Sequence, residues 1–218
     1  MHPTLRLYED VLSNDASGMR LPALARMILV VHGAPTIGGK VLADGEAWHG
    51  ENTVMLDAGA TGATCWRFEL APSGAGDGAA EGRGVSSRAK LSAVLETLPT
   101  GDLLLRGDSV AFPPGGCAYL HRHQGPGIRC LLEGGIRIDT GGRSTSYGPG
   151  GAWYESGPEP VFAQAAPDRP SRFIRVMVLP RALLGKSSIQ YVNEEDKNKP
   201  RTQQYKIFAD APISFKLP

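Results

Sequence analysis

The sequence predicts an all-β fold, and three observations carry that reading. The 28 Gly and 17 Pro are spread between short apolar runs, the distribution that many tight turns require. Thr64-Cys65-Trp66-Arg67-Phe68-Glu69-Leu70 alternates in the manner of a strand with one wet face. Pro114 to His123 ends in two histidines with one residue between them, which on a strand places His121 and His123 on the same side.

Taken in order, Leu5 to Leu12 reads as a short helix ended by Asp15-Ala16-Ser17-Gly18. Strands follow over Arg26 to Val31 and over residues 36–42, 52–57 and 64–70. Ala71 to Ser87 is a glycine-rich linker or loop without the Lys-Ser/Thr pair that a phosphate cradle needs. Leu91 to Leu98 then leads into a barrel core, where Leu103 to Arg106 and Asp108 to Phe112 precede the histidine strand. Beyond the turn at Gln124-Gly125-Pro126-Gly127, residues 128–138 form two short strands around Glu133-Gly134-Gly135, a hairpin beside the histidines. Residues 147–164 make the opposite wall, and Arg172 to Leu179 is the last core strand, with Pro180 breaking the ladder. Arg181 to Gly185 suits one helical turn, residues 193–201 form a solvated charged run, and Tyr205 to Phe208 alternates again.

Charge and cysteine usage narrow the function. With 23 basic and 22 acidic residues the chain has no electrostatic footprint for nucleic acid. Cys65, Cys117 and Cys130 are odd in number and lack a CxxC pair, which points to reduced thiols and a cytoplasmic location. Acidic residues stand where a signal peptide needs an apolar core, and no apolar run has the length of a membrane span. His32 and His49 have no partners at ligand spacing. His121 and His123 can offer neutral ring nitrogens to one ion. Alternation places Glu155 on the same face as Trp153, and Arg129 on the same face as Gly127. Glu155 is then a metal ligand, one half of an internal ion pair with Arg129, or a rim residue. Arg129 is either an outward strand residue or a bidentate anchor for an anionic substrate.

From Gly107 to Gly135 the chain resembles the cupin family. Gly115, His121, His123 and Gly134 fall on the places of its first motif, while the carboxylate ligand's place is Gly127. Counted from Gly150, the second motif's proline, glycine and histidine places hold Ser156, Pro158 and Val161; one residue earlier they hold Glu155, Gly157 and Pro160. The resemblance implies a jelly-roll β-barrel over residues 89–180. Residues 1–88 are then extra N-terminal strands or a degenerate cupin half, with extra strands preferred. Residues 181–218 form a C-terminal extension that docks on the barrel or on a second subunit, since cupins often pair as homodimers. The implied function is a metal-dependent enzyme acting on a small organic molecule. Iron(II) and a dioxygenase-like oxidation are favoured, with zinc, nickel or manganese as other metals. His121, His123 and Glu155 would hold the metal, and Arg129, Gln164, Tyr119 and Trp153 would contact substrate. The competing readings are a non-catalytic ligand-binding barrel and a cupin isomerase or lyase.

Overall fold

The computed structural model describes residues 2–215. The chain divides into two compact units, Met1–Glu96 with Ile213–Pro218, and Thr97–Pro212. In the first unit the strands are β1 (Thr4–Leu12), β2 (Met19–Leu21), β3 (Ala25–Gly33), β4 (Thr36–Ile37), β5 (Lys40–Val41), β6 (Ala47–Gly50), β7 (Val54–Asp57), β8 (Ala63–Ala71) and β9 (Val85–Val94). They form a five-stranded sheet of order β6-β3-β8-β1-β9 and a four-stranded sheet of order β2-β7-β4-β5.

The second unit holds β10 (Leu103–Phe112), β11 (Cys117–His123), β12 (Gly127–Glu133), β13 (Ile136–Thr140), β14 (Arg143–Tyr147), β15 (Ala152–Glu155), β16 (Val161–Ala165), β17 (Ser171–Pro180), β18 (Ile189–Tyr191) and β19 (Gln204–Ile213). Its sheets have the orders β15-β12-β17-β10-β19 and β18-β11-β16-β13-β14. Strand for strand these repeat the first unit's orders, with β18 as the one addition. The N-terminal strands therefore build two sheets of their own instead of widening those of the second unit. The boundary falls at Glu96 because Val85–Val94 pairs with Thr4–Leu12.

Each unit has its own apolar core. Leu12, Met19, Leu21, Ile28, Val30, Ile37, Leu56 and Cys65 fill the first. Val110, Phe112, Leu131, Ile136, Ile138, Trp153, Val161 and Phe173 fill one end of the second. Three sequence expectations change here. Residues 4–12 are a strand, not a helix, because they pair with β8 on one side and β9 on the other. Their period-two pattern is concealed because the row facing inward includes Tyr8 and Asp10 beside Leu12, and all three are buried. The row Cys65, Arg67 and Glu69 on β8 does not face water; these residues are 0 %, 1 % and 1 % exposed, and Arg67 pairs with both Asp10 and Glu69.

Residues 128–138 are not a hairpin either, because β12 and β13 lie in opposite sheets. Gly134, at φ +85°, carries the chain between them, and a Cβ there would stand 2.2 Å from the Pro170 carbonyl oxygen. The true hairpin joins β13 to β14 through Gly141-Gly142, both at positive φ as a two-residue primed turn requires. The three cysteines form no disulfide. Among the described residues no helix is long and apolar enough to cross a membrane.

The two glycines are predicted to differ in their tolerance of a methyl group. Gly134→Ala should cost roughly 2–4 kcal/mol in urea unfolding, from backbone strain plus collision. Gly141→Ala, with no atom within 4 Å of the added Cβ, should cost about 1 kcal/mol, the conformational penalty alone.

Candidate functional site

The site is built on the inner faces of the second unit's two sheets. His121 and His123 leave β11 on one face, 5 % and 4 % exposed. Their Nε2 atoms are 3.2 Å apart. His121 Nδ1 lies 2.7 Å from the Tyr119 carbonyl oxygen, which can only accept, so Nδ1 carries the proton and Nε2 is left bare. His123 Nδ1 lies 3.3 Å from Ser188 Oγ, and its backbone N–H donates to the Gly157 carbonyl. Burial is the largest influence on both imidazoles and lowers the pKa of each; Arg129 and Arg175 push His123 lower still.

Glu155 reaches the histidines from the opposite sheet. In register it stands directly across from Gly127. A Cβ at Gly127 would meet the Val176 carbonyl oxygen at 2.6 Å, Met177 Cγ at 2.7 Å and Arg129 Nη1 at 3.0 Å. The guanidinium of Arg129 folds back over this glycine, Nη1 donating to the Gly127 carbonyl at 2.7 Å. Its Nη2 lies 2.7 Å from Glu155 Oε2, close in charge but without an aligned N–H, so both atoms lack a hydrogen bond. Glu155 Oε1 accepts from Trp153 Nε1 at 2.9 Å, and Oε2 is 3.6 Å from His123 Nε2. The carboxylate missing at position 127 is thus supplied by its cross-strand neighbour, with an arginine in the space that a longer residue 127 would need.

Two further charges complete the interior. Arg175 on β17 makes a bidentate pair with Asp108 on β10, at 3.0 and 2.6 Å. Burial opposes the charge of Arg175, but Asp108 holds its pKa above the ordinary arginine value; for Arg129 burial outweighs the attraction of Glu155, and its pKa is drawn down to about 10. Arg129 and Arg175 balance Asp108 and Glu155, so the interior is neutral when both imidazoles are neutral. His121, His123, Glu155, Arg129 and Arg175 line a cavity of about 20 Å³, together with Ile189, Gln203 and Tyr205 from the C-terminal segment. That volume accommodates one water molecule or ion. A larger guest requires Ile189, Gln203 or Tyr205 to move. On their far side lies a cleft of about 260 Å³ lined by Arg106, Asp108, Arg175, Lys186, Arg201 and Tyr205 among others.

The structure brings together His121, His123, Glu155, Arg129 and Trp153. It does not bring Gln164 or Tyr119 into the cavity. On β16 the residues Val161, Ala163 and Ala165 are the buried row, so Gln164 turns outward and donates to the Gly115 and Gly116 carbonyls. A register shift between Ala118 and His121 breaks the alternation of β11, and the Tyr119 ring meets Lys199 instead. Arg175, Asp108, Ser188, Gln203 and Tyr205 were not singled out from the sequence.

No family model and no curated protein matches the sequence. Solved structures do match. A deletion mutant of Bacillus subtilis oxalate decarboxylase superposes with a TM-score of 0.62 at 12% identity, covering 89% of this chain and 73% of that one. A tryptophan-to-phenylalanine variant of the same enzyme gives 0.63 at 11% identity over the same shares. A third structure, from work on the Mn(II) centres of that decarboxylase, also gives 0.63 at 11% identity. The fold is that of the cupin superfamily. The second unit is an all-β jelly roll that carries its histidine pair on β11.

Two outcomes follow for this cupin interior. In metal-stripped protein, Arg129→Met leaves Glu155 buried and uncompensated and should cost about 3–5 kcal/mol in chemical unfolding. Arg129→Met combined with Glu155→Met should recover most of that loss, giving a large coupling in the double-mutant cycle. The histidines set a pH dependence of defined sign. The unfolded chain binds protons near the ordinary value of 6.5 while the buried imidazoles resist them. Stability should therefore fall as pH drops below that value, and His121→Ala with His123→Ala should flatten the slope between about pH 7 and 5.

Proposed function

We propose that the second unit is a metal-binding cupin that acts on a small organic anion. One observation carries this reading: the Nε2 atoms of two buried imidazoles face each other at 3.2 Å and the buried Glu155 Oε2 lies 3.6 Å from that of His123, although among the described residues the three do not form a ready-made ligand set. An ion bonded to two nitrogens at about 2.0–2.1 Å holds them roughly 3–3.4 Å apart, and the His121–His123 separation of 3.2 Å falls in that range. His121 Nε2 is a bare acceptor facing a second nitrogen, and Glu155 Oε2 has no hydrogen bond. His121, His123 and Glu155 would hold the ion, and the Mn(II) centres of the decarboxylase with this fold support a divalent metal. When bound, such an ion supplies Lewis-acid polarisation and open positions for exogenous ligands.

The protein's own groups define the substrate. The cavity is neutral, so a divalent ion brings two positive charges that an anionic molecule offsets. Arg106, Lys186 and Arg201 in the outer cleft favour the approach of an anion, and Arg129 and Arg175 line the inner wall. Gln203 Oε1 is buried without a hydrogen bond at the inner wall and would accept one from a substrate hydroxyl or acid. Tyr205 and Ile189 line the same cavity. Two histidines and one carboxylate suit a dioxygenase-like oxidation with iron(II) as the leading metal. Carbon–carbon cleavage is the lyase alternative that the oxalate decarboxylase neighbours suggest. A second reading, a metal-free ligand-binding barrel, is favoured by Arg129 already serving as the cation beside Glu155.

Elemental analysis of untagged protein separates the two. About one equivalent of iron, manganese, zinc or nickel is expected, lost in the His121→Ala, His123→Ala protein and diminished in Glu155→Gln. A preparation that holds no metal and cannot be loaded would establish the second reading. Parallel assays of dioxygen uptake and carbon dioxide release over a panel of small carboxylic acids then distinguish oxidation from decarboxylation.

A further inference from the structure

The first unit carries a polar interior of its own. Its β8 repeats the place of β17, its β1 that of β10, and the Arg175–Asp108 pair has a counterpart: Arg67 Nε and Nη2 donate to Asp10 at 2.7 and 3.2 Å. On β2, which takes the place of the histidine strand, stand Met19, Arg20 and Leu21. The chemistry here is therefore cationic without imidazole donors. Arg26, Arg67 and Arg6 are 1 %, 1 % and 8 % exposed, and face the carboxylates of Asp10 and Glu69. Three positive charges against two leave one in surplus.

The hydrogen bonds identify which one. Arg67 Nη1 donates to Glu69 Oε2 at 2.7 Å. Arg26 Nη2 lies 3.3 Å from that same oxygen, and none of the three Arg26 nitrogens has a hydrogen-bond partner among the described residues. A buried guanidinium without acceptors is strongly penalised. Arg6 is satisfied only by neutral oxygens, donating to the carbonyls of Ala75, Gly76 and Asp77. Those carbonyls belong to the glycine-rich loop, which also caps Arg67 through the Gly78 carbonyl at 3.1 Å. Gly78 has φ +86°, and a Cβ on it would stand 2.7 Å from Arg6 Nη1 and 3.0 Å from Glu69 Oε1. The loop can seat so closely only because this residue is glycine. Asp77 places its carboxylate at the surface, where the Tyr8 hydroxyl reaches it at 3.2 Å. A groove of about 390 Å³, lined by Arg6, Arg20, Arg67, Glu69, Gly78 and Glu81 among others, opens onto the cluster.

We propose that this end of the first unit binds a small oxyanion, a carboxylate or a phosphate, through Arg6, its oxygens taking the places of the loop carbonyls, with the surplus charge of Arg26 beside Glu69 drawing the anion in. A charged acceptor makes shorter and stronger bonds to guanidinium than a carbonyl does, and a single negative charge cancels the surplus. The glycine loop is the roof that the ligand lifts.

The test uses the full chain in chloride-free buffer, titrated separately with sodium acetate and sodium phosphate. Thermal unfolding is followed together with ¹H–¹⁵N spectra of the Gly76 and Gly78 amides and the Arg26 and Arg67 Nε–H groups. Binding should raise the unfolding temperature and move those resonances, and the anion that does so identifies the class. Arg26→Met and Arg6→Gln should each weaken binding by roughly tenfold or more. The proposal fails if neither anion moves these signals, or if the only shifts are at Arg129 and Arg175. It also fails if Arg26→Met raises stability and leaves the affinity unchanged. Should Arg26→Met not fold, Arg6→Gln decides alone, and unchanged affinity in that variant overturns the assignment.

Discussion

A guanidinium taken out of water must find its charge balance inside the protein, and both halves of this chain are organised around that requirement. In each unit, on the middle strand of one five-stranded sheet, an arginine grips an aspartate on the neighbouring strand, Arg67 with Asp10 and Arg175 with Asp108. Such pairs contribute little net stability compared with apolar side chains of the same volume, because desolvation offsets most of the attraction. Their effect is to keep one end of each interior polar, so that neither sandwich is filled throughout by aliphatic side chains. Both proposed sites are arranged about those two polar ends.

In the second half the balance closes among four charges, and the position of each follows from the others. Residue 127 is glycine, so the neighbouring arginine can fold over it; with the arginine there, the carboxylate stands one strand away at Glu155. The same carboxylate is thereby offered to two cations, a guanidinium and any ion the histidines hold. In the first half the balance does not close, and the excess sits on Arg26. One topology thus yields two interiors that differ in the sign of what they can accept.

The parts of this that were legible in the sequence are those carried by local spacing. Two histidines one residue apart, and Trp153 and Glu155 in the same relation, declare a shared face because strand geometry is periodic over two residues. The Glu155–Arg129 ion pair was one of three alternatives that the same rule left open for Glu155. Arg175 with Asp108 is different, since the partners are 67 residues apart and no local pattern links them. Tyr119 was misplaced by a register shift, which sequence does not mark. The first unit was the harder half, because charges on the inner face of a sheet produce the same alternation as charges facing water. Only the pairing of β1 with β8 and β9 distinguishes the two, and it turned an expected helix and an expected wet face into the walls of an interior.

The two halves differ by one strand, β18, which follows the last core strand and runs beside the histidines. Ser188 precedes it, Ile189 begins it, and Gln203 and Tyr205 come from the chain beyond it. The groups around the histidine cavity are therefore encoded mostly in strands common to both halves, Tyr205 on β19 included, with Ile189 on the added strand. The one strand without a counterpart is thus the one laid along the histidines, so a change in β18 bears on that cavity and has no equivalent in the first half.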